Sequence, residues 1–170
     1  LQSESSVETY QEAAGRIISE CDRLIGIINT MLDMAEMDSG TAKLPDVPVD
    51  IASVVKDACE LFQPVAEDKA ITLQSNNIDT SLAVRGSKEG LQRVVANIVD
   101  NAIKFTDRGG HISIDIDSID TRVSICIQDT GIGLSRENQQ RIFDRFYRVD
   151  VSRSAEGNGL GLSLAQSIFR

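Results

Sequence analysis

The stretch from Ser87 to Thr106, SKEGLQRVVANIVDNAIKFT, constrains the fold of this chain more than any other. Leu91, Val94, Val95, Ile98, Val99 and Ala102 recur at helical spacing, which gives one stripe able to face a core. Asn97, Asn101 and Lys104 follow at i, i+4 and i+7 and line up on an adjacent face. Two amides and an ammonium in one row beside a buried stripe suit a metal ion and phosphates better than bulk water. Standing alone, such a helix would simply have a solvated polar face; the segments C-terminal to it decide between the two.

Charge narrows the function classes. The net charge of -9 and the pI near 4.6 argue against a general nucleic-acid binder, which would carry a basic patch. Aromatic residues make up only 4% and Trp is absent, so a base-stacking platform is excluded as well. An acidic chain that binds a phosphorylated ligand has to concentrate its few cations locally. Cys21, Cys59 and Cys126 are widely spaced, form no CxxC pair and sit among apolar neighbours, so they read as reduced, buried thiols rather than a metal site. No run approaches the ~18–20 apolar residues of a membrane span, and the N-terminus has no signal-peptide pattern. The sequence reads as soluble.

In chain order, Val7, Ala14, Cys21, Ile28 and Ala35 repeat by seven, interleaved with Tyr10, Ile17, Leu24 and Met31. Ile18, Ile25 and Leu32 widen the stripe beyond what a two-stranded coiled coil needs and favour a four-helix bundle. The helix is expected over Glu4 to Met37, with Asp38-Ser39-Gly40 as its stop, and reads as a dimerisation element; an ordinary long core helix is the alternative. Residues 41–49 read as a linker, with Pro45 and Pro48 ending helical geometry. Asp50 then caps a helix whose buried side is Ile51, Val54, Val55, Ala58, Leu61 and Phe62, and which Pro64 bends or ends. Strands are expected at Ile71–Gln74 and Leu82–Arg85, and Ser87 as the N-cap of the next helix. Ile112, Ile114 and Ile116, then Val123, Ile125 and Ile127, alternate with polar residues and predict a hairpin. DTGIGL, a helical RENQQRIFDRFYRVD, a polar loop and GLGLSLAQSIF complete the chain. The pattern predicts an α+β fold, a mostly antiparallel mixed sheet packed on helices.

Two glycine clusters have chemical potential. DTGIGL leaves a strand directly; its glycines permit a tight turn and close backbone approach, and Asp129 presents a carboxylate that could accept a hydrogen bond from an exocyclic amine. GNGLGL opens a helix whose N-terminal amides and dipole can hold phosphate. Each is a weak signal alone. The second is no Walker loop, since no GK[ST] follows, and no dinucleotide fingerprint, since no βαβ unit frames it.

Their order is specific. NIVDNAIKFT, DTGIGL, IFDRFYRVD and GNGLGLSLA are similar to the N, G1, F and G2 boxes of the sensor histidine kinase catalytic domain. That domain has the Bergerat-type ATP-binding fold shared with gyrase-type ATPases and a class of chaperones. The resemblance covers residues 50–170, and residues 1–40 resemble the second helix of the family's dimerisation and histidine-phosphotransfer hairpin. It implies that Asn101 is a Mg²⁺ ligand through its amide oxygen, with Asn97 a second polar group at metal and phosphates. Lys104 resembles the phosphate-neutralising lysine, and Asp129 the adenine-recognising aspartate, with Gly131, Gly133 and Leu134 shaping the turn. Phe143 and Phe146 match the F-box anchors, although they also fit a plain lid-helix core, and Phe105 fits core packing as well as an adenine wall. Arg148, next to Tyr147, resembles a lid arginine that reaches the γ-phosphate. Gly157, Asn158, Gly159, Leu160, Gly161 and Leu162 form the G2 segment, and residues 135–158 correspond to the ATP lid. Arg145 and Arg153 read as solvated.

The chain also departs from the family. A kinase of this type phosphorylates a histidine that precedes an acidic residue on the first hairpin helix, whereas His111, the one histidine, follows RGG at a strand start and reads as exposed. The first helix, and the two strands that usually follow the G2 helix, have no counterpart here. The resemblance implies ATP and Mg²⁺ as ligands, a response-regulator receiver domain and a second copy of the chain as partners, no nucleic acid, and a cytoplasmic location, with the parent an inner-membrane protein at most through segments outside this chain. A degenerate kinase acting as a non-catalytic ATP-binding scaffold is the alternative. A gyrase-type or chaperone ATPase is disfavoured, because those carry a glutamate as general base where this chain has Asn97.

Overall fold

The computed structural model describes residues 2–39, 45–76, 82–149 and 158–168. The chain divides into two compact units, residues 1–42 and 43–170.

The first unit is one helix, α1 (Gln2–Asp38), 37 residues long and therefore about 55 Å at 1.5 Å per residue. It contains no proline, and its two glycines, Gly15 and Gly26, have open space where a side chain would stand. The heptad stripe is outward: Tyr10, Ile17, Leu24, Ile28 and Met31 are all exposed, as are Ile18, Ile25 and Leu32. Gly40, the expected cap, lies outside the described residues.

The second unit is an α/β sandwich built from β1 (Val47–Asp50), α2 (Ile51–Asp68), β2 (Thr72–Asn76), β3 (Ala83–Gly86), α3 (Lys88–Phe105), β4 (His111–Ile119), β5 (Arg122–Asp129), α4 (Arg136–Arg141) and α5 (Gly161–Ile168). The strands form an antiparallel pair, β1–β3, and a three-stranded sheet in the order β2-β4-β5, with β2 parallel and β5 antiparallel to β4. Ile114 lies opposite Ile127 and Ile116 opposite Ile125, so the two alternating patterns share one face. That face meets α2 and α3: Val54, Val55 and Ala58 of α2 and Leu91, Val95, Val99 and Ala102 of α3 join Ile112, Ile114 and Ile116 in a single core. The expected mixed, mostly antiparallel sheet on helices is what the chain forms. Both helix caps are also as expected. Asp50 Oδ1 accepts from Ala52 N, and Ser87 Oγ accepts from Gly90 N at 3.1 Å.

Four local expectations are corrected. Residues 47–49 are not linker but three of the four residues of β1, where Pro48 is tolerated because β1 has one strand partner among the described residues. Leu61, expected on the buried side of α2, is 65% exposed; of the two outcomes expected at Pro64, bending or ending α2, ending does not occur, since α2 continues to Asp68. The thiols are not all buried: Cys21 and Cys126 are exposed, Cys126 because it alternates to the outer face of β5, and Cys59 is half-buried. Burial pushes the Cys59 thiol above its ordinary value, against a hydrogen bond with Ser75 that lowers it. The helix after Ser135 is only six residues, Arg136–Arg141, and gives way to turns.

Candidate functional site

The polar row of α3 begins one wall of the site. Asn97, Asn101 and Lys104 are all half-buried, beside the core positions Val94, Val95 and Val99. Lys104 Nζ is bonded to Asp100 Oδ2 at 2.5 Å across one helical turn. Asp100 is a site neighbour that sequence reasoning missed, although an acid four residues N-terminal to a lysine is a readable pair.

The turn after β5 forms the floor. Asp129 Oδ1 accepts from Gly131 N at 2.9 Å, so the carboxylate shapes its own turn with one oxygen and keeps Oδ2 clear of it. Ile132 N donates to Phe105 O at 3.1 Å, which ties the turn to the last residue of α3. A Cβ at Gly131 would come within 2.4 Å of Phe105 O, a contact no side chain can make; only glycine lets the two segments meet. Gly133, at φ +68, turns the chain away, and Leu134 beyond it is exposed.

The third side is the start of α5. Asn158 Oδ1 accepts from Leu160 N, and the nearest atoms to a Cβ at Gly161 would belong to the Asn97 side chain, the closest at 3.3 Å. Asn97 and Gly161 therefore face each other. Leu160 is 1% exposed, so its side chain is a packing group that anchors the start of α5. Leu162 is half-buried. Gly157 lies outside the described residues, as do residues 150–156 of the expected lid.

The F-box segment is tied to the same place. Phe146 has φ +63 and donates its N–H to Gly159 O at 3.0 Å, while Gly159, at φ +69, has Tyr147 O where a Cβ would sit. A bulky residue in the left-handed region is strained, and such strain persists where surrounding contacts fix it. Tyr147 donates to Asn138 Oδ1 at 2.8 Å and lies under the Arg141 guanidinium, 4.2 Å from the ring centre, so its hydroxyl is engaged within α4. Phe143 and Phe146 are both exposed, so they do not form the lid-helix core. Arg148 is half-buried.

The structure thus brings Asn97 to Gly161, Phe105 to Gly131 and Asp129, and Phe146 and Tyr147 to Gly159. A histidine- or carboxylate-rich metal centre is not part of it: among the described residues no group of three or more His, Cys, Asp or Glu side chains could hold an ion.

Residues 86–170 match the family described as histidine kinase-, DNA gyrase B-, and HSP90-like ATPase. The chain is 31% identical over 166 residues to the sensor-like histidine kinase SenX3 of Mycolicibacterium smegmatis, covering 97% of this chain and 43% of that protein. It is 34% identical over 173 residues to the probable sensor protein PcoS of Escherichia coli, covering 99% of this chain and 36% of that one. The chain therefore spans less than half the length of these curated relatives. Among solved structures, full-length ShkA in complex with AMPPNP superposes with a TM-score of 0.75 at 29% identity, over 86% of this chain and 30% of that one. The mycobacterial sensor histidine kinase MprB superposes with a TM-score of 0.61 at 29% identity, over 72% of this chain and 77% of that one. With Asn97 facing Gly161 and the DTGIGL turn locked to the end of α3, the chain belongs to this ATPase family and carries the ATP-binding catalytic domain of a sensor histidine kinase.

Proposed function

We propose that the site binds ATP with Mg²⁺ and that the full-length protein uses it to phosphorylate a histidine, from which phosphate passes to an aspartate of a response-regulator receiver domain. The observation that supports this most is the apposition of Asn97 with Gly161, which sets an α3 amide against the first residue of α5. The donor set fits the metal: Mg²⁺ is held by few protein ligands plus substrate phosphates, and amide oxygens from Asn101 and Asn97 meet that need without a carboxylate cage. Bound there, the ion would neutralise phosphate charge. Lys104, steadied by Asp100, adds a cation on the same row, and the amides of Gly159, Gly161 and Leu162 offer donors to phosphate. Asp129 Oδ2 accepts from the exocyclic amine of adenine, while Gly131 and Gly133 keep the turn flat against the base. Arg148 reaches the γ-phosphate from the lid. No carboxylate base stands at position 97, so the site holds and orients phosphate for another acceptor rather than activating water.

In this reading residues 1–40 are the second helix of a dimerisation and phosphotransfer hairpin, and the catalytic domain, entered through β1, works on the cytoplasmic side. No helix among the described residues is long and apolar enough to cross a membrane. The test is nucleotide binding and labelling in the full-length protein. Asn101→Ala should weaken Mg²⁺-dependent ATP affinity at least tenfold, about 1.4 kcal/mol, in calorimetric titration. An unchanged affinity would remove Asn101 from the metal. [γ-³²P]ATP should leave an acid-labile phosphate on the wild-type protein; no such label would make the domain a nucleotide-binding scaffold.

A further inference from the structure

The three N–H bonds of one ammonium, far from the N box in sequence, are spent on the end of the N-box helix. Lys69 follows α2 directly, and its Nζ donates to Ile103 O at 2.7 Å, Lys104 O at 3.1 Å and Thr106 O at 3.0 Å. These are carbonyls of the last turn of α3 and its C-cap, groups that a helix leaves without internal partners. Thr106 is only 1% exposed, so water cannot substitute there. A cation at a helix C-terminus is also favoured by the helix dipole. The one carbonyl skipped within this run is Phe105 O, which accepts from Ile132 N in the DTGIGL turn and presses against Gly131.

Lys69 itself is held firmly. Its backbone N–H donates to Val65 O, closing α2, and Ala70 and Ile71 turn back onto Glu67 O and Ala66 O. A second strap runs alongside: Arg108 Nη1 donates to Asp68 O, and Thr72 N donates to Gly110 O. The end of α2 and the end of α3 are thereby clamped to each other. With all three of its donors engaged by backbone, Lys69 has none left for phosphate, which separates its role from that of Lys104.

We propose that Lys69 is a positioning residue for adenine nucleotide. By collecting the carbonyls on either side of Phe105, it holds the Phe105 carbonyl toward the turn, so that Lys104 and the Asp129–Gly133 turn stand in one fixed relation. This rests on the nucleotide reading above, and the experiment separates the two. In the full-length protein, a non-hydrolysable ATP analogue with Mg²⁺ is titrated into wild type, Lys69→Met and Lys69→Gln. Val54→Ala, which hollows the core beneath α2, serves as a variant of lowered stability with the clamp intact. Lys69→Met should raise the Kd about tenfold and Lys69→Gln by less, all measured well below each variant's melting temperature. Amide hydrogen exchange at Ile132 should accelerate in both Lys69 variants in the absence of nucleotide. Val54→Ala should lower the melting temperature yet leave the Kd and Ile132 exchange near wild type. Wild-type affinity and wild-type Ile132 exchange in Lys69→Met would overturn the proposal, as would an equal loss of affinity in Val54→Ala. If wild type bound no analogue, the nucleotide reading would fail, while Ile132 exchange would still decide whether Lys69 holds the turn; an Lys69→Met chain too unstable to fold leaves the same decision to Lys69→Gln.

Discussion

Individual residues carry the site through backbone geometry as much as through side chains. Asn97, Asn101 and Lys104 were legible because helical spacing aligns any three residues at i, i+4 and i+7. Lys69 was not, since its partners lie 34 to 37 residues away and nothing local marks it. Phe146 was legible as an F-box residue but not as a left-handed one, because its conformation comes from its bond to Gly159. Ala70 poses a simpler case. It has φ +52 at the turn out of α2, where an L-residue costs about 1–2 kcal/mol relative to a right-handed conformation. Glycine would relieve that strain and give back about 0.4–1 kcal/mol as unfolded-state freedom. Ala70→Gly should therefore stabilise the protein by about 0.5–1 kcal/mol, read as a higher urea midpoint at constant m value. A lower midpoint would show that the strain is absorbed elsewhere.

Elements were legible where one segment decides its own structure. The apolar stripes of α2 and α3 and their caps are local, and both caps stand where Asp50 and Ser87 predict them. Ser87 is buried and its hydroxyl accepts from Gly90 N, so Ser87→Ala leaves an N-terminal amide of α3 unpaired. The expected loss is about 1 kcal/mol in chemical denaturation. A neutral result would mean that the neighbouring Glu89 takes over the cap. Strand β1 was missed for the opposite reason. Four residues, one a proline, become a strand only because β3 lies beside them, with Val47 opposite Gly86 and Asp50 opposite Ala83. A helix running from Ser135 through the whole F box is likewise excluded from a distance, since Phe146, beyond the end of α4, is left-handed and bonded to Gly159. Pairing and bond donation by distant segments set both outcomes.

For the whole molecule, the sequence conveyed the family and the layers, because four boxes in order are more specific than any one of them. The outward stripe of α1 belongs to this scale, since a row of eight exposed apolar side chains from Tyr10 to Leu32 has no cover of its own. If a second copy supplies it, Ile25→Asp in the full-length protein should shift the sedimentation profile toward monomer. An unchanged profile would place the dimer contact elsewhere. The parallel pairing of β2 with β4 has a consequence for how the molecule comes into being. Its register joins residues 39 apart, Asn76 with Asp115 among them, and β2 has no other strand partner among the described residues. As the chain leaves the ribosome, α2 and β2 must wait unpaired until α3 and β4 have both emerged. The helix that carries Asn97, Asn101 and Lys104 is thus enclosed by the closing step itself, and a nascent chain halted before β4 would display a complete N box with no sheet to set it.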